Sequence, residues 1–100
     1  MKHLTIITAA LLLTACATTL SEKARSVKLA DINIVKECQL LNTVEGSSSV
    51  SGLMVSQGIQ NARNEAIENA AELGATHIVI TESIGGSVPY VAGNAYNCNL

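Results

Sequence analysis

The stretch IQNARNEAIENAAELGATHIVITESI, residues 59–84, decides the fold. In its first half Ile59, Ala62, Ala66, Ala70 and Leu73 recur at spacings of three and four, and Ile67 and Ala71 widen the stripe. That period predicts an amphipathic helix from about Ile59 to Leu73. Glu65, Glu68, Asn69 and Glu72 fall on its polar face, and Gly74 stands where a left-handed residue ends a helix. So many alanines predict a close approach to whatever the helix covers. The second half changes period. Ile78 and Ile80 share one face and Val79 and Thr81 the other, which predicts a strand from Thr76 to Ile84, stopped by Gly85-Gly86.

Upstream of the helix, Glu37 to Val44 reads as a strand, with Cys38, Leu40, Asn42 and Val44 on one face and Gln39, Leu41 and Thr43 on the other. Val27 and Leu29, with Ile32 and Ile34, suggest a first, weakly patterned strand. Glycines at 46, 52 and 58 among serines make Gly46–Gly58 a flexible loop. Leu53, Met54 and Val55 within it are expected either to touch the core or to contact a partner. Downstream, Val88 to Gly93 with Pro89 reads as a loop, and Asn94 to Asn99 as a last strand. The expected fold is therefore α+β, a small sheet of about four strands with one packed helix, in the order β-β-α-β-β.

The N-terminus has a different character. Met1-Lys2-His3 precedes an apolar run from Leu4 to Leu13, then Thr14-Ala15-Cys16. A charged start, a short apolar stretch and small residues before the cut site mark a signal peptide at residues 1–15. The run is too short to span a bilayer, which takes about 20 residues. Leu13-Thr14-Ala15-Cys16 matches the lipobox, whose cysteine thiol receives a diacylglycerol before cleavage. Cys16 is thus the expected lipidation site, carrying acyl chains such as palmitate. Two or more chains anchor stably. Ala17, in place of an aspartate, points to sorting to the outer membrane, with the domain facing the periplasm or the cell surface. Residues 16–26 are expected to form a lipidated tether with a reach of at most about 35 Å, leaving residues 27–100 as the folded domain.

Composition narrows the function classes. After cleavage five basic residues face eight acidic ones, too few to neutralise a phosphate backbone, so nucleic acid is not an expected partner. The chain has no Phe or Trp, so its core is built from aliphatic residues, and a domain this small gains from a covalent constraint. Of three cysteines Cys16 goes to lipid, which leaves Cys38 and Cys98 as a pair in an oxidising compartment, where a disulfide is expected. The alternative is a metal site of both thiolates with His77. No nucleophile–base–acid set, phosphate loop or cofactor motif is evident, so neither an enzyme nor a cofactor is expected.

Four segments carry a resemblance. They are Lys36-Glu37-Cys38-Gln39, Ala62-Arg63-Asn64-Glu65-Ala66, the run from Asn69 to Ile80, and Gly93-Asn94-Ala95-Tyr96-Asn97-Cys98. With the lipobox, this pattern resembles the "domain of unknown function 4156" family of bacterial lipoproteins. More distantly it is similar to the RcsF family of outer-membrane stress-sensor lipoproteins. The resemblance implies a membrane-anchored envelope domain. RcsF domains hold two disulfides behind a longer, more basic and proline-rich tether, whereas this chain can form one disulfide behind a short tether. Two roles follow as expectations: a non-catalytic module that binds another envelope protein through Leu53, Met54 and Val55, or an envelope stress or redox sensor.

Overall fold

The computed structural model of the chain describes residues 18–99. The expected signal peptide at residues 1–15, the expected lipidation site Cys16, and Ala17 lie outside the described residues. The elements run α1 (Glu22–Arg25), β1 (Lys28–Leu29), β2 (Gln39–Ser47), a 3-10 turn (Gly52–Met54), α2 (Val55–Glu72), β3 (His77–Ile84) and β4 (Tyr90–Asn97). The four strands form one mixed sheet in the spatial order β1-β3-β4-β2. β1 pairs with β3 in parallel, and β4 is antiparallel to both β3 and β2. The α+β architecture and the order of strands around the helix are as the periodicities predict.

Helix α2 covers one face of the sheet through alanine. Ala62, Ala66 and Ala70 are wholly buried and meet Ile78, Val91, Ala95 and Val44. Short side chains let the helix backbone come close, and Gly46 brings β2 closer still. A Cβ at Gly46 would strike the Ala62 carbonyl oxygen and lie 2.7 Å from the Ala66 backbone nitrogen. Gly46 therefore belongs to a strand at a helix contact and not to a loop, a known use of glycine inside a strand. The helix begins four residues before the expected Ile59, and Gly58 lies inside it, buried against Val50 and Pro89. At the other end Gly74 takes φ 81° and turns the chain, as expected. Leu73, counted in the apolar stripe, sits past the last helical residue and is 44% exposed.

Two irregularities shift the strand faces. The β2–β4 register slips between Leu40 and Asn42, so that Leu41 is an extra residue. Leu41 and Val44 then both reach the helix-side core, while Leu40 points away from it, 55% exposed. Strict alternation grouped Leu40 with Val44. A bulge adds one residue to one strand and reverses the parity beyond it. A second shift lies between Ile80 and Glu82 of β3. Strand β4 begins at Tyr90 and not at Asn94. It is the central strand against β2 and β3, with Val91, Ala92 and Gly93 buried.

β1 is shorter than the Val27–Ile34 pattern suggested. The Asp31 side chain accepts from the Asn33 (2.8 Å) and Ile34 (3.3 Å) backbone N–H groups and bends the chain away from the sheet edge. Residues 30–38 then cross the sheet face opposite α2. Val35 is buried there against Val79 and Tyr96, with Ala30, Cys38 and Cys98 around them.

Candidate interaction surfaces

The segment read as a tether is docked over its described part. Asn61 and Asn64 are buried polar residues of α2. The Asn61 Oδ1 accepts from Thr18 N (3.3 Å) and Oγ1 (3.1 Å), and the Asn64 Nδ2 donates to Thr18 Oγ1 at 2.9 Å. Glu68 accepts from Ser21 N (3.1 Å) and Ser21 Oγ (2.6 Å). These two bonds, the side-chain one first, hold the Glu68 carboxyl below its ordinary value. Ser21 also caps α1 by accepting from Ala24 N at 3.1 Å. Ala24 and Val27 are buried in the main core, with Leu20 packed beside them. Local pattern gave no sign of this docking, because every partner is more than forty residues away. The one available signal was two asparagines flanking alanines on the buried side of a helix.

Leu53, Met54 and Val55 do not share one face. Leu53 is fully exposed at 105% and Met54 is half exposed, both on the ordered 3-10 turn. Val55 starts α2 and turns inward: its Cγ2 lies 3.4 Å from the Cβ position of Gly85, and Ile59 Cδ1 lies 3.7 Å from it. That contact brings the β3–β4 connection to the start of the helix. Ser51, Gly52, Val55, Gly86 and Ser87 line a shallow depression between the two segments. Ile84 and Val88, both exposed, flank it from the second segment. Sequence reading placed neither in a surface. Together Leu53, Met54, Ile84 and Val88 give this end of the domain an apolar character.

The opposite end carries the disulfide. Cys38 and Cys98 are bonded, with Cα atoms 4.6 Å apart, just beyond the Gln39–Asn97 rung that opens the β2–β4 ladder. The bond that cysteine counting predicts is present. It takes up both sulfurs that a metal site with His77 would need. The His77 Nδ1 is instead hydrogen-bonded to Thr76 Oγ1 at 2.9 Å, and the same hydroxyl accepts from Cys98 N at 2.8 Å. The bond pins the crossing segment 30–38 to the end of β4. Ile32 and Ile34 project from that segment, 56% and 61% exposed, and Leu29 and Leu40 at its two flanks are each 55% exposed.

A shallow groove between β2 and α2 is polar. Glu45, Glu65 and Glu72 line it, and the Asn69 Nδ2 spans it by donating to the Glu45 carbonyl at 2.8 Å. Tyr90 at its end is held above its usual pKa of 10.0, first by its hydrogen bond to Glu45, then by desolvation and nearby negative charge. A phenol shifted that way stays a hydroxyl donor and is no base at neutral pH. Among the described residues no group of three His, Cys, Asp or Glu is placed to hold a metal ion. No described helix is long and apolar enough to cross a membrane.

No protein-family model matches this chain, and no curated protein matches it in sequence. A solved structure does. It is the solution NMR structure of a secreted protein of Salmonella typhimurium LT2, with a TM-score of 0.54 at 19% sequence identity. The match covers 84% of this chain and 82% of that one. At that identity the likeness shows a shared fold.

Proposed function

We propose that this protein is a lipid-anchored, non-catalytic contact module of the bacterial envelope, which binds an envelope protein through its disulfide end. The observation that carries the reading is the display of Ile32 and Ile34 on the segment clamped by Cys38–Cys98 and Val35, with Leu29 and Leu40 beside them. Exposed large apolar side chains held on an ordered scaffold have the character of a contact surface. The disulfide supports an oxidising, extracytoplasmic location. The lipobox supports lipidation at Cys16 and, through Ala17, the outer membrane. The disulfide end lies at the far end of the sheet from the 3-10 turn. Leading back from Ser21 at Glu68 to Thr18 at Asn61, the chain heads toward that turn, which leaves the disulfide end free to meet a partner.

A second reading is a redox sensor. Cys38 and Cys98 are only partly buried, so a reductant could reach the bond and release the crossing segment.

A photo-crosslinking side chain at position 34, activated in intact envelopes, tests the first reading. A discrete protein adduct is expected, and it should vanish when Ile32→Asp is added, while melting stays within about 0.5 kcal/mol of wild type. An absence of protein adducts from positions 29, 32, 34 and 40 would sink it. An adduct seen only after mild reduction would favour the sensor.

A further inference from the structure

We propose that the uncharged apolar end formed by Leu53, Met54, Ile84 and Val88 seats on the surface of the lipid bilayer that holds Cys16. The inference shares the lipidated Cys16 with the reading above and is otherwise independent of it.

The first argument is where the chain leaves the domain. Thr18 is fastened to Asn61 and Asn64 by four hydrogen bonds of 2.9–3.4 Å. Cys16 precedes it by two residues, a span of at most about 7 Å. From Thr18 to Ser21 the chain runs alongside α2 in the helix's own direction, from Asn61 to Glu68. Followed backwards, it points to the N-terminal end of α2, where the 3-10 turn sits. From Asn61 to Met54 is about 10 Å along the helix axis. With so short a span, acyl chains on Cys16 hold this end of the domain near the membrane.

The second argument is charge. No Asp, Glu, Lys, Arg or His occurs between Gly46 and Ala62, or between Ser83 and Asn99. These stretches supply the 3-10 turn, the start of α2 and the β3–β4 connection at this end; the nearest strand charges, Glu45 and Glu82, stand level with Ala92, two rungs back from Tyr90. Lys28, Asp31, Lys36 and Glu37 all belong to the disulfide end. A charge brought against a bilayer must shed water at high cost, whereas serine and glutamine hydroxyls and amides can stay among the headgroups. Ser51 and Ser87 line the depression at this end, and Ser56 and Gln57 follow in the first turn of α2. An uncharged end is also the one that a net-acidic domain can bring to an anionic leaflet without repulsion.

The third argument is order. Leu53 is wholly exposed although the turn that bears it is pinned: Gly58, one helical turn on, is locked against Val50 and Pro89. An anchor that combines acyl chains with a second membrane-binding feature holds more firmly than either one alone.

The chain has no Trp, so a single tryptophan reports without background. The mature lipidated protein carrying Leu53→Trp is reconstituted into phosphatidylcholine vesicles with brominated acyl chains. A second protein carries Leu73→Trp, at the opposite end of α2, where the native residue is also exposed. Neither position packs in the core, so both variants should fold. The expected result is that Leu53→Trp emission shifts to the blue and loses most of its intensity to bromine, while Leu73→Trp keeps the emission of a solvated indole. Equal quenching of both, or of neither, overturns the inference. So does a Leu53→Trp that is unquenched in vesicles yet shielded from aqueous quencher in native envelopes, because a protein then covers this end. Protein that fails to float with the vesicles at all lacks the anchor, which removes the inference and the anchored reading together.

Discussion

Single residues here act through the space they leave empty. Gly46 reads as loop material by composition, yet its missing Cβ is what lets β2 lie on α2: the added atom would strike the Ala62 carbonyl. The two nearest atoms are backbone, so they cannot rotate aside. Gly46→Ala is therefore expected to cost about 1–3 kcal/mol, the usual range for overpacking. Urea unfolding measures it, and an unchanged midpoint would mean that strand and helix are not in contact there. The same logic governs Gly93, whose Cβ would come 2.6 Å from the Val79 carbonyl oxygen. Asn61 and Asn64 are the converse case. They are polar groups kept inside a helix–segment contact because each finds partners in Thr18 and in a glutamine one turn earlier, Gln57 for Asn61 (2.8 Å) and Gln60 for Asn64 (3.1 Å).

Among the elements, the polar face of α2 does more than meet solvent. Asn69 holds β2 through the Glu45 carbonyl, and Glu68 holds the leading segment through Ser21. The Glu68 carboxyl is lowered from its ordinary pKa of 4.5, first by the Ser21 hydroxyl and then by the Ser21 N–H, because both bonds favour the ionised form. The sign follows from linkage. Docking gains from this group at pH above 4.5, and loses that gain as pH falls through the lower, folded value. Amide protection at Ser21 and Ala24, taken relative to the unstructured rate at each pH, should accordingly fall as the solution is acidified through that window, ahead of protection in β4. In Glu68→Gln the acid-induced step should be gone and the segment should be looser at neutral pH. If wild type and variant respond to acid alike, Glu68 is not the group that holds the segment.

For the whole molecule, the fold has two unlike ends, a main core beneath α2 and a smaller one beneath the crossing segment. The main core is alanine, valine and isoleucine, which bury little area per residue, so a covalent clamp counts for much. Cys38 and Cys98 are 60 residues apart in sequence, and closing a loop of that length is worth about 4 kcal/mol in the chain-entropy model. Cys98→Ser is expected to destabilise the domain by about 2–5 kcal/mol. Because the bond also pins the crossing segment, the first amides to lose protection should be those around Val35. A variant that melts with wild type would show that the second core beneath that segment holds without the bond.

The sequence by itself determined the helix, the strand that follows it, the α+β class, the order of elements around the helix, and the cysteine pair. Each rests on a pattern contained within a few turns of chain, or on counting. Only the tertiary structure decided the rest. The bulges at Leu41 and Thr81 reverse which side chains face the helix, and a bulge depends on the neighbouring strand. The early start of β4 is hidden in sequence by Gly93 and Asn94, which suit a central strand only because β3 and β2 lie on either side. Residues 18–26 look like solvated linker because their apolar members are sparse. They are ordered by Asn61, Asn64 and Glu68, more than forty positions away. The pairing of Leu53 and Met54 with Ile84 and Val88 likewise arises where α2 and β3 run antiparallel and bring distant segments to one end. Periodicity reports the face a residue presents within its own element; which elements share an end is settled by packing.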